Sequence, residues 1–234
     1  MEEPKAVVLG VQLALWFKDR IPNPEDLLPR VRQTMGNIFD RPTTVLPVPP
    51  DQDLDYAQVV ILQSSQGLRL AISRKRADLW IDGQAKDDFE NMEDRILAAS
   101  KSYLTLFEEQ VVVRSGLVVR FLYPTREPSS CLERLLTKKP SELQIGQTFD
   151  VGVTYITRHT IGSRMYNDRT EIGQYQNDNA AAGRLGVGVQ VTRDFNSLPD
   201  DATPFLQGDI LALVQQSKEY FSLNQIGDLM WTNH

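Results

Sequence analysis

The chain holds one cysteine, Cys131, and two histidines, His159 and His234. One cysteine excludes an intrachain disulfide, and with so few histidines no zinc site of the usual His/Cys kind can form within one chain. This usage fits a reducing compartment. No apolar run is long enough to cross a bilayer; the best, residues 6–17, is short and interrupted by Gln12. The chain opens Met-Glu-Glu, with no basic segment before that run, so no secretory signal is expected. A formal charge of -6 and a pI near 5.0 disfavour general binding to nucleic acid or anionic membranes. The expectation is a cytoplasmic protein that does not associate with membranes.

Catalytic motifs are also missing. Gly183-Arg184-Leu185-Gly186-Val187-Gly188 lacks the spacing and the Lys-Ser/Thr ending of a P-loop. A strand pattern follows it, whereas a dinucleotide fingerprint opens a helix. There is no nucleophile elbow and no paired-histidine metal motif. The acidic stretch 51–55 lacks EF-hand spacing. Cys131 lies in an apolar segment with nothing nearby to lower its pKa, so it reads as an inert buried thiol. His159 reads as structural. No cofactor and no metal are expected.

What the chain does hold is patterned β-structure. With 234 residues, 41% hydrophobic and 24% charged, it is expected to be a single domain spanning residues 1–234. Residues 111–123, VVVRSGLVVRFLY, alternate along a long strand. Val111, Val113, Leu117, Val119, Phe121 and Tyr123 share one face, and Val112, Arg114, Gly116, Val118, Arg120 and Leu122 share the other. A bulge is expected at Ser115-Gly116.

Residues 6–17 form a first strand apolar on both faces. Asn23-Pro24-Glu25-Asp26 reads as an N-cap, a first-turn proline and acids at the positive helix end, with Pro29 still in the first turn. Residues 40–56 are a proline-rich surface loop. Strands over 57–63, 68–74 and 77–82 follow as a meander. Phe89, Met92, Ile96, Ala99, Tyr103 and Phe107 then mark one stripe of a helix over 87–109.

The order returns in outline: the strand 111–123, a short helix over 128–136, strands around 149–155, 164–176 and 185–191, and a last helix over 207–221. The two pseudo-repeated β-α-β-β-β-α halves, 1–110 and 111–234, predict an α+β fold: one antiparallel sheet with helices on one face and the other face open. The order resembles the saddle of the TATA-binding protein, a likeness of topology that carries no function. Gly186 and Gly188 are expected on the open face, where a backbone, a ring or a ligand could approach.

Alternation places Arg114 and Arg120 on that open face, with Asp150, Thr154 and Arg158, and with Arg184, Gln190, Thr192 and Asp194. The chosen binding residues are Arg114, Arg120, Arg158, Arg184 and Gln190, since arginine presents a planar fork to acidic or phosphate groups. They suit a non-enzymatic interaction protein with a macromolecular, protein partner. A nucleic-acid-binding saddle is the alternative, disfavoured by the net charge. An enzyme would have to use Glu171, Tyr175, Asp194 and His159. Residues 68–74 (LRLAISR), 114–120 (RSGLVVR) and 191–196 (VTRDFN) resemble a sporadically distributed family of uncharacterised prokaryotic proteins, which implies a prokaryotic or phage setting.

Self-association is expected to avoid strand addition. Residues 164–176 carry Asn167, Asp168, Arg169 and Glu171, which suits a charged edge strand. Any homodimer would use a helix face or residues 223–231, which hold Leu223, Ile226, Leu229, Met230 and Trp231.

Overall fold

The computed structural model describes residues 6–46, 55–83, 89–135, 152–176, 186–198, 203–217 and 219. It is an α+β fold with one nine-stranded antiparallel sheet in the order β2-β3-β4-β5-β1-β6-β9-β8-β7. The strands are β1 Val7–Phe17, β2 Thr44–Val45, β3 Val60–Gln63, β4 Leu68–Ile72, β5 Arg76–Asp82, β6 Val112–Pro124, β7 Val153–Ile161, β8 Arg164–Gln176 and β9 Val187–Ser197. Each long first strand, β1 or β6, pairs with the last strand of the meander that follows it, and β1 and β6 pair with each other at the centre.

Among the described residues four α-helices accompany the sheet: α1 Leu28–Met35, α2 Phe89–Leu106, α3 Pro128–Glu133 and α4 Gln207–Gln216. Their apolar residues Met92, Ile96, Tyr103, Leu132, Ile210 and Leu213 are buried in one cluster with Leu13, Leu15, Leu79, Leu117, Val119 and Phe195 of the strands. Most strand residues of that cluster occupy alternate positions, so the intervening ones fall on the opposite face, where Ala14, Ala71 and Leu122 are themselves buried. Phe17 and Phe107 close the layer with ring centroids 5.0 Å apart.

Pro24–Leu27 forms a 3-10 turn, and α1 begins only at Leu28, with Pro29 in its first turn. There proline's missing N–H breaks no helical bond. Asn23 makes no side-chain cap; its Nδ2 donates to Asp26 instead, at 3.2 Å.

Three expectations need correction. Ser115 and Gly116 pair in regular register with Leu15 and Ala14; the shifts fall instead between Val8 and Gly10 and one step beyond Leu15, where Trp16 faces Arg114 but Phe17 faces Val112. That slip turns Val112 inward and leaves Val111 40% exposed. The second is the polar segment 164–176, which is not an edge: β8 lies between β9 and β7. Its residues Arg164, Tyr166, Asp168, Thr170 and Ile172 are buried, because Arg164, Asp168 and Thr170 bond to each other or to the neighbouring chain. The edge is β7, whose chain runs on through Gly162 (φ 59) and Ser163 into β8. A positive φ at the first position of such a two-residue turn favours glycine. Lastly, Gly188 is not an open platform: a Cβ there would lie 2.4 Å from the carbonyl oxygen of Tyr123 and 2.7 Å from the Leu122 side chain. No described helix is long and apolar enough to cross a membrane.

Candidate functional site

Cross-strand register builds the site. Trp16 on β1 stands directly opposite Arg76 on β5 and Arg114 on β6, so the three side chains share the open face on adjacent strands. Both guanidinium carbons lie over the indole, at 4.5 Å for Arg76 and 4.7 Å for Arg114. A cation over an indole is held by the ring's electron-rich face. One strand row further along are the small residues Ala14 and Gly116, and then Gln12 with Val118. Small residues between large ones leave a depression, and a groove of about 910 Å³ follows this part of the sheet.

Lys18, Tyr56, Lys75, Arg76, Arg114 and Asp194 line it. Two of the cations are compensated. Arg76 pairs with Asp78 at 2.7 Å, where Gln12 also donates at 2.9 Å, and Lys75 is 3.9 Å from Asp55. Lys18 and Arg114 have no ion-pair partner among the described residues. The Nε of Arg114 is buried and donates to no described group. A buried donor without an acceptor carries an unreturned desolvation cost, which an arriving acceptor relieves.

On the far wall, the Asn196 side chain covers Gly116 and donates to Asp194. Burial raises the Asp194 carboxyl above its ordinary value, while the Asn196 bond and the more distant Arg114 and Arg169 pull the other way. The groove therefore offers two unmatched cations and one carboxylate whose charge its surroundings disfavour.

The residues chosen from sequence do not cluster. Arg114 lies in the groove. Arg120 shares the face but sits six positions along β6, about 20 Å away at ~3.3 Å per residue, opposite Gly10 and Thr192. Gln190 is further along, opposite Leu122, and bonds Thr192 at 3.1 Å. Arg158 is on the same face but on the edge strand, and donates to Asn167 at 3.2 Å. Arg184 and Asp150 lie outside the described residues. Trp16, Lys18, Tyr56, Lys75 and Arg76 were missed. Alternation alone puts Trp16 on the same face as Gln12, but its match to two arginines exists only in the folded register.

The four residues named for an enzyme are divided by the sheet. Glu171, Tyr175 and Asp194 belong to the open face, by their register with Thr192, Gly188 and Arg169. His159 is on the helix side, where its Nε2 lies 3.1 Å from Asp168 and 3.0 Å from the Thr157 hydroxyl. Glu171 is itself paired to Arg169 at 2.5 Å. The sheet therefore stands between His159 and the other three. Among the described residues no three of His, Cys, Asp and Glu converge to hold a metal ion. Cys131 is buried, and burial raises its thiol pKa. The chain matches no family model, and no curated protein shows significant sequence similarity to it.

Proposed function

We propose that this is a non-enzymatic interaction protein, which binds a protein partner through the open face of its sheet. Acidic side chains of the partner enter the groove at Arg114 and Lys18. The observation that carries this reading is the buried Arg114 Nε without an acceptor, fixed beside Trp16 in a groove whose other arginine is already paired. Arginine held rigidly by stacking loses little freedom when it takes a carboxylate in its planar fork. The rest of the open face contributes area and shape. A cytoplasmic setting is part of the proposal and rests on the lone cysteine.

Nucleic acid is the weaker reading. Proteins that bind single strands stack bases on exposed rings. Trp16 is already stacked by the protein's own arginines, and Trp80 lies under Arg69 at 4.7 Å. Those two rings are taken, which leaves Tyr56 as the exposed ring among the groove's described lining.

Affinity purification of the tagged full chain, as the parent, Arg114→Glu and Arg120→Glu, tests the proposal. A stoichiometric protein partner that Arg114→Glu loses and Arg120→Glu keeps is the expected result. A partner kept by both variants puts the contact elsewhere. Recovered nucleic acid with steeply salt-dependent binding favours the alternative. Arg114→Met, which removes no ion pair, is expected to cost only about 0.5–1 kcal/mol of stability and yet lose the partner.

A further inference from the structure

The last strand of the sheet, β7, has the features of a pairing edge. Its nine residues, VTYITRHTI, contain no proline, no glycine and no acid, and are rich in β-branched side chains. It pairs with β8 from Val153↔Ile172 to Ile161↔Arg164 with no register shift, so no bulge twists it away. Ile156 is 63% exposed and Tyr155 40% exposed, one on each face of the sheet. Arg158, the one residue of β7 that is always charged, is tied back to Asn167 of β8. Proteins usually blunt such an edge with charge, proline or a bulge. Among the described residues the charge here is limited to Arg158, and neither proline nor a bulge is present.

We propose that β7 pairs antiparallel with β7 of a second copy of this chain, about a two-fold axis at Thr157. The opposite edge of the sheet explains why the partner is a second copy in this arrangement. Strand β2 has only two residues, so it cannot receive a nine-residue strand. Head-to-tail stacking into a filament is thus closed off, while self-pairing of β7 ends in a dimer. Centring the pair on Thr157 uses the whole strand. It sets Ile156 opposite Arg158 of the second copy, Tyr155 opposite His159, and Thr154 opposite Thr160. No like charges face each other directly, and the arginine stem covers the exposed isoleucine. The corrected position of β8 is what allows this: the charged segment 164–176 is interior, and the strand at the edge is the one without acids.

Light scattering and sedimentation of the full chain over a concentration series test the proposal, with circular dichroism to confirm folding. The parent is expected to be a dimer. Ile156→Lys puts a cation opposite Arg158 twice in the symmetric pair, and is expected to weaken the dimer about tenfold or more. Ile156→Glu puts an acid there and is expected to keep it. In Thr157→Cys the two-fold brings the new thiols together across a directly opposed pair, so mild oxidation should cross-link the dimer. A monomeric parent, or Lys and Glu variants that dissociate alike, overturns the proposal.

Discussion

Arg193 grips Asp168 with two prongs on the helix-covered face: Nε donates to Oδ1 at 3.0 Å and Nη2 to Oδ2. Asp168 is fully buried and Arg193 is 8% exposed. Thr157 and Thr170 also direct their hydroxyls at the carboxylate, and His159 reaches it from the edge strand. The cluster thus ties β7, β8 and β9 together where apolar packing gives way to polar groups.

Breaking this pair from one side should be costly. Asp168→Asn leaves a buried guanidinium without its counter-charge, and a loss of about 3–5 kcal/mol is expected. Asp168→Leu combined with Arg193→Met removes both charges together and should return most of that loss. Urea unfolding of Asp168→Leu, Arg193→Met and the double variant checks this, because residues in contact show their coupling as non-additivity. Additive losses would mean that the pair stabilises nothing.

Much of the architecture was legible because period-two alternation reports a strand with one buried face. Leu117, Val119, Phe121 and Tyr123 went to the core, and so did Val189 and Val191. The edge was misread because composition was taken for exposure. Arg164 is nearly buried, since its guanidinium bonds the carbonyls of Thr203 and Pro204, at 2.9 and 2.6 Å, and lies over Phe205. A polar segment satisfied in this way looks the same in sequence as a solvated one. The groove was illegible for a different reason. Trp16, Arg76 and Arg114 meet only when β1 lies between β5 and β6, and no local pattern fixes that register. Residues 223–231, named for self-association, lie outside the described residues.

The glycines of β8 and β9 give a second test. At Gly188 a new Cβ would strike backbone, 2.4 Å from the Tyr123 oxygen, and backbone within a paired sheet yields little. Gly173, on β8, has nothing within 4 Å of the same position. Gly188→Ala should lose about 1–3 kcal/mol, as overpacking does, while Gly173→Ala should stay within about 0.5 kcal/mol of the parent. For a chain of this size that is a fall in Tm of roughly 2–4 °C per kcal/mol, which calorimetry resolves. Equal melting of the two variants would show that β6 and β9 can part at that end without cost.

Asp194 links stability to the groove. Burial raises its carboxyl pKa in the folded chain above the ordinary 3.8, against the opposing pull of Asn196 and the nearby arginines. A raised acid binds its proton more tightly when folded than when unfolded. Its favourable contribution is therefore complete below the unfolded value and is lost as pH rises through the folded one. At neutral pH the ionised carboxylate is a burden to the fold. Asp194→Asn removes that burden and still offers an oxygen to the Asn196 amide. The variant should be more stable than the parent at pH 7, and the advantage should shrink as pH falls, vanishing once the parent is protonated in both states. Urea midpoints at several pH values between 7 and 3 measure this difference. The same change removes the carboxylate that faces Arg114 among the groove's described lining, so it should tighten binding of an acidic partner and flatten the pH dependence of that binding. A stability difference that stays constant with pH would show that the charge of Asp194 is solvated, and that the groove is more open than its walls imply.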